Sequence, residues 1–295
     1  MAPDVSAAAT WSWRLAGLEL RRSEPLGIGI VNVTADSMYE GARSGTPERA
    51  VEDGRRLAAE GFDMLDVGAV AARSGAPVPV EEEAAALIPT VAGLAATGLP
   101  VSADTFAPAV ARRALDAGAV AINDIGGGSA EMFELAAQSG CGLVLMHIEG
   151  PPRTEREPRS YADVIEHMKE WFSARLETAA EHGVDAEQIA LDPGLDFDLS
   201  LEDDLRVLAR LGELRELGRP LYVSLSRKDF LGAVLAGSWE KRTPAGGREW
   251  ATAAAAALAV AGGAEILRLH DTSALQAMRV AGRIGGGGDV DGDAG

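Results

Sequence analysis

Cysteine is almost missing from this chain: its 295 residues include one, Cys141. A lone thiol cannot close an internal disulfide, so the expected compartment is the reducing cytoplasm, with Cys141 a buried structural residue rather than a nucleophile. Cations are scarce too, 27 Lys and Arg against 45 Asp and Glu, for a formal net charge of −18. That balance argues against nucleic acid or an anionic membrane as a partner, because phosphate backbones and headgroups need a cationic face. A small anionic substrate remains compatible, since it feels only the local field. No apolar run approaches the length of about 18 residues that spans a bilayer, and the alanine-rich run Ala251–Ala261 is short and weakly apolar. No signal peptide is read at the N-terminus. No histidine–cysteine cluster has zinc spacing, which argues against a transition-metal site. A GxSxG elbow and a Walker lysine loop are also missing.

What is present is a period. Residues 1–10 are expected to be disordered. Trp11–Leu20 alternates apolar and polar residues around Ala16-Gly17 and reads as a hairpin. After Pro25 the pattern repeats: short apolar strand, polar loop, amphipathic helix. The strands read are Gly27–Val33, Phe62–Val67, Pro100–Asp104, Ala119–Asp124, Gly142–His147, Gln188–Asp192, Leu221–Ser226 and Glu265–His270. Helical stretches between them include Pro47–Ala59, Ala107–Ala117 and Tyr161–Glu181, the last with Val164, Met168, Phe172 and Leu176 on one face. Gly61, Gly98, Gly118, Gly183 and Gly218 precede strands and suit helix C-terminal caps. Eight such units in roughly 260 residues fit a (β/α)8 TIM barrel, an α/β fold, with an N-terminal β-hairpin. A doubly wound open sheet is the alternative, but no GxGxxG follows the first strand. The expected organisation is one domain over 11–284 and a flexible Gly/Asp-rich tail over 285–295.

In such a barrel, chemistry sits where strands end and βα loops begin. The ends read, in order, Asn32, Asp66, Asp104, Asn123, His147, Asp192, Ser226 with Lys228, and Arg268 with His270. Any one of these could be an ordinary cap or loop residue; eight polar ends converging on one mouth make a site. Asp104, Asn123 and Asp192 offer carboxylate and amide edges that match a flat nitrogen heterocycle. Lys228 can donate to a ring carbonyl or nitrogen while its stem packs on the ring. Arg268 and His270 read as a cationic pair suited to phosphate or pyrophosphate. Asn32 is a neutral oxygen donor able to share Mg2+ with phosphate oxygens. The adjacent cations Arg227 and Lys228 need an anionic or electron-rich partner at the mouth of a buried strand.

The motifs IGIVNVTADS, LDVGAVAARSGA, VSADTF with INDIGGG, LMHIEG, LDPG, SLSRKDFLG and LRLHD occur in this order. In that order and spacing, over about residues 11–284, the chain resembles the dihydropteroate synthase family of folate biosynthesis. The resemblance implies a pterin-binding barrel, a transferase joining 6-hydroxymethyl-7,8-dihydropterin pyrophosphate to p-aminobenzoate with release of pyrophosphate. It implies pterin contacts from Asp104, Asn123, Asp192 and Lys228, with Asp66 and Met146 completing the substrate-binding set. Pyrophosphate would meet Asn32, Arg73, Arg268 and His270, with Mg2+ near Asn32. Lys228, Arg268 and Arg73 carry the catalytic expectation. The family also suggests a homodimer.

Departures from the family pattern fall on the second-substrate side. The first loop has Ala35, Met38 and Tyr39 where the family usually reads Pro, Phe and Ser. The second keeps only Arg73 between Gly68 and Gly75, with Ala72 and Ser74 beside it. Asp196-Phe197-Asp198-Leu199 stands where Gly-Phe-Gly-Lys is usual, and Asp229 replaces the serine after SRK. Asp229 is expected to repel a benzoate carboxylate and, with the altered loops, to raise the Michaelis constant for p-aminobenzoate. Two other readings stay open on the residues alone: a catalytically weak pterin-binding paralogue, and a pterin-dependent methyltransferase. Against the latter stand the Arg268–His270 clamp and the lack of a cobalamin domain.

Overall fold

The computed structural model describes residues 11–33, 44–71, 75–154 and 158–285. It opens on an antiparallel hairpin of β1 (Trp11–Leu15) and β2 (Leu18–Arg22), turned at Ala16-Gly17. Gly17 sits at φ +68°, the left-handed backbone that a two-residue hairpin turn favours. Eight parallel strands follow: β3 (Leu26–Asn32), β4 (Met64–Gly68), β5 (Val101–Asp104), β6 (Ala121–Asp124), β7 (Gly142–Met146), β8 (Ile189–Asp192), β9 (Tyr222–Ser224) and β10 (Ile266–Leu269). Their order is β8-β7-β6-β5-β4-β3-β10-β9, and a parallel bridge between Leu191 and Leu221 brings the two edges together. The result is a nearly closed (β/α)8 barrel, so the barrel reading stands over the open sheet.

Between the strands lie α1 (Pro47–Ala59), α2 (Val80–Ala95), α3 (Pro108–Asp116), α4 (Ala130–Ser139), α5 (Val164–Glu181), α6 (Leu201–Ala209), α7 (Asp229–Ala236) and α8 (Glu249–Ala261), with α9 (Thr272–Gly285) last. α1 begins where its sequence says it should, behind an N-cap threonine (Thr46) and with Pro47 in the first turn. α5 begins at Val164 rather than Tyr161 because the Asp163 carboxylate accepts from the Ile165 and Glu166 amides and fixes the start there. The five glycines expected to close helices all have positive φ.

Four strands, β3, β7, β9 and β10, end one or two residues before the ends read from the sequence. β9 stops at Ser224, and Leu225–Lys228 is loop. The hairpin plugs the other mouth of the barrel. Trp13 is fully buried among Leu26, Ile28, Met64, Val144, Tyr222 and Ile266, and its indole nitrogen donates to the Gln188 carbonyl at 2.8 Å. With that end filled, the ends carrying the polar residues are the ones open to a ligand. Cys141 is buried in the main core. Among the described residues no helix is long and apolar enough to cross a membrane.

Candidate active site

The strand ends converge. Asn32, Asp104, Asn123, Met146, Asp192, Lys228, Arg268 and His270 all line one cavity of about 710 Å3. Arg73 lies outside the described residues, as do Ala35, Met38, Tyr39, Ala72 and Ser74 of the altered loops, and residues 1–10 and 286–295.

Asp66 has a different place from the one its strand end suggested. It is fully buried beneath the cavity rather than in its lining. Its carboxylate accepts from Ser102 Oγ at 2.6 Å, Asn123 Nδ2 at 3.0 Å and Arg268 Nε at 2.6 Å. Asp66 therefore fixes which amide edge Asn123 presents, and it orients the Arg268 guanidinium. Arg268 Nη2 donates to Asp104 Oδ2 at 2.8 Å, so two carboxylates share one cation. Burial works against the guanidinium charge, but Asp66 and Asp104 more than offset it and hold Arg268 protonated. Asp104 is pushed up to about 7, chiefly by burial, with Arg268 pulling the other way. With Nε and Nη2 engaged, Nη1 is the guanidinium nitrogen with no hydrogen bond among the described residues.

Across the cavity stand Asp192 and Lys228. Asp192 is buried at the end of β8, and its carboxylate accepts from the Gly194 amide at 2.8 Å. Burial raises it to about 6 against the nearby Lys228 charge. Gly194 has φ +69°, and a side chain there would run into the His147 carbonyl at 2.2 Å, so this turn needs glycine. Lys228 Nζ donates to the Leu195 carbonyl and sits 4.6 Å above the centre of the Phe197 ring. An electron-rich face thus meets this cation. Its neighbour Arg227 meets an anionic one, with Nε and Nη2 on Asp271 at 2.9 and 2.5 Å.

Two electrostatic expectations are corrected. His270 is not half of a cationic pair: burial, then the Arg268 and Arg227 charges, push it down to about 3, so its ring is neutral. Its Nδ1 lies 2.9 Å from Ser226 Oγ. Nor does Asp229 confront a substrate. It is outside the cavity lining, and Arg248 at 2.7 Å and Arg242 at 3.2 Å neutralise it.

Sequence reasoning also passed over several cavity residues. Asp196 stands in left-handed backbone (φ 69°), where the resembled family usually has glycine. Its carboxylate accepts from the Asp229 and Phe230 amides at 2.6 and 3.1 Å, which caps α7 and places Lys228 just ahead of it. Arg153 reaches the Ala71 and Ala76 carbonyls on either side of the second loop. Glu83, raised by burial, accepts from Thr105 Oγ1 at 2.5 Å. The only sequence signal for these was the acid-for-glycine exchange at Asp196.

Residues 28–270 match the family model described as pterin binding enzyme. The chain is 38% identical over 252 residues to the dihydropteroate synthase of Synechocystis sp., covering 84% of this chain and 86% of that one. A solved dihydropteroate synthase of Xanthomonas albilineans with 4-aminobenzoic acid superposes at a TM-score of 0.82 and 38% identity, covering 92% and 98% of the two chains. One from Burkholderia cenocepacia, complexed with 7,8-dihydropteroate, does so at 0.82 and 35%, covering 93% and 96%.

Proposed function

This chain belongs to the pterin-binding enzyme family, and within it we infer a dihydropteroate synthase, a transferase of folate biosynthesis. It joins 6-hydroxymethyl-7,8-dihydropterin pyrophosphate to p-aminobenzoate. The amine nitrogen bonds to the pterin's exocyclic methylene carbon as the carbon–oxygen bond to pyrophosphate breaks. Pyrophosphate leaves with the bonding pair, and the amine gives up a proton. The observation that carries the reading is the gathering of Asp104, Asn123, Asp192 and Lys228 around one cavity with Arg268.

The residue roles follow from that gathering. Asp104 and Asp192 accept from ring N–H groups, Asn123 supplies an amide edge, and Lys228 donates to the ring. Met146 packs against the pterin. Asp66 acts one layer below, by positioning Arg268 and Asn123. Arg268 offers Nη1, and neutral His270 a ring nitrogen, to the departing pyrophosphate; Arg73 is assigned to the same anion. Most of the catalysis is positioning of the two partners and stabilisation of the leaving anion.

Mg2+ is proposed beside Asn32, whose neutral side-chain oxygen is a hard donor at the end of β3 in the cavity lining. Asn32 would hold the ion, which would supply charge to the leaving phosphates. A homodimer in the cytoplasm completes the proposal; the lone buried Cys141 suits a reducing compartment.

A single-turnover assay with both substrates, run beside calorimetry of the pterin pyrophosphate, tests the reading. Dihydropteroate and pyrophosphate should form one to one. Tight binding without product would instead identify a non-catalytic pterin-binding paralogue.

A further inference from the structure

The sequence shows no zinc-type spacing, yet the fold brings His147, Glu149 and His167 together from the end of β7 and the first turn of α5. One ligand atom from each lies within 4.8 Å of the other two. None of the three lines the substrate cavity. His147 is 1% exposed, and neither of its ring nitrogens has a hydrogen-bond partner among the described residues. Two buried, unsatisfied nitrogens on one imidazole are costly and call for an explanation.

The surroundings fix the three donors. The His147 ring is held edge-on by Trp171 at 5.0 Å and by His167 at 5.4 Å. His167 is stacked under Tyr161 at 4.3 Å, and its Nε2 lies 2.9 Å from Glu149 Oε1. Donors around a tetrahedral zinc ion at the usual bond lengths sit roughly 3.3 Å apart. The Glu149–His167 pair is near that spacing already, and all three donor atoms lie within 4.8 Å of one another.

We propose that His147, Glu149 and His167 form a binding site for a divalent d-block cation, Zn2+ in the first instance, that ties the end of β7 to the start of α5. Two imidazoles and one carboxylate select such an ion over Mg2+ or Ca2+, which prefer all-oxygen shells. The fourth position is left to water. The site is separate from the oxygen setting proposed for Mg2+ at Asn32. Arg159, 3.4 Å from Glu149, competes for that carboxylate and keeps the affinity moderate. The ion would sit behind Met146 and beside the turn that carries Asp192, whose backbone carbonyl accepts from the His147 amide at 2.8 Å.

The test uses the full chain, stripped with a chelator and titrated with Zn2+ against a chromophoric competitor in excess Mg2+. One equivalent should bind and raise the thermal midpoint, and Co2+ should give the absorption bands of a tetrahedral site. His167→Ala, at a partly exposed position on α5, should weaken Zn2+ by about a hundredfold or more and abolish the Co2+ bands. Glu149→Gln should act in the same direction and serves if His167→Ala folds poorly. His182→Ala, whose ring is bonded to the Thr178 carbonyl, should leave uptake unchanged. Equal Zn2+ affinity in His167→Ala and the unaltered chain, or no uptake by the unaltered chain at micromolar Zn2+, would overturn the proposal.

Discussion

The two flanks of the cavity are built on different principles. Around Arg268, the protein satisfies itself: Asp66 and Ser102 below the cavity and Asp104 and Asn123 in its lining are joined in one network, and one guanidinium nitrogen is left over. Around Lys228 the contacts run to backbone and to a ring instead. The Asp192 carboxylate accepts from the Gly194 amide, and Lys228 meets the Leu195 carbonyl and the Phe197 ring face. The first flank pairs its polar groups with one another, so its residues serve the fold as well as the ligand. On the second, the Asp192 carboxylate accepts a single hydrogen bond among the described residues, so it keeps acceptor capacity for a ligand. Two acids that look alike in sequence, Asp66 and Asp192, thereby part company.

The largest effect should follow from removing the shared cation. Arg268→Ala leaves Asp66 and Asp104 facing each other in a buried site, and breaking such a set costs about 3–5 kcal/mol. Denaturant unfolding should register that loss. Because Asp104 loses its orientation too, plain pterin and pterin pyrophosphate should both bind more weakly. A stability change near zero would mean that the two flanks are alike.

Lys228→Met keeps the stem and removes the charge. It should cost about 1.5–3 kcal/mol in pterin affinity, the range for a hydrogen bond to a charged group. Its effect on unfolding should be much smaller than that of Arg268→Ala. Loss of folding stability equal to loss of binding would erase the contrast.

The pH dependence is smaller and has a definite sign. Asp104 and Asp192 are raised to about 7 and about 6, so each loses its charge as pH falls through those values. Affinity for a pterin that donates to the ionised carboxylates should hold above that window and fall through it, by up to about 1.4 kcal/mol per pH unit for each group. Lys228 holds Asp192 down, so Lys228→Met should start the fall at higher pH. Calorimetry across the window checks both statements.

The smallest effect is expected at Asp229. Its charge is spent on Arg248 and Arg242, so Asp229→Ser should leave the Michaelis constant for p-aminobenzoate unchanged while lowering stability modestly. Steady-state kinetics with p-aminobenzoate varied gives the answer. A fall in that constant would restore the repulsion that the sequence suggested.

Asp229 also shows where the sequence stops being legible. The barrel was readable because each unit repeats a local pattern: apolar strand, polar end, amphipathic helix. That Asn32, Asp104, Asn123, Asp192, Lys228 and Arg268 line one cavity was readable because barrel geometry sends strand ends to one mouth. Which member touches which was not readable. Asp66 meets Arg268 across 202 residues, and Arg248 meets Asp229 across 19. Such pairings depend on barrel closure and on side-chain direction, neither of which leaves a mark on local spacing. The same holds for His147, Glu149 and His167, whose contact depends on how α5 packs against the end of β7. His270 was misjudged for a related reason, since its charge state is set by burial and by two arginines from separate segments.

The central claim is that the Lys228 flank reads the pterin. Its most direct test is calorimetric titration of pterin pyrophosphate into Asp192→Asn, beside denaturant unfolding of the same variant. The account predicts an affinity loss of about 1.5–3 kcal/mol with folding stability equal to or above that of the unaltered chain, because a buried carboxylate is replaced by a neutral amide. Unchanged affinity for the pterin pyrophosphate would contradict it.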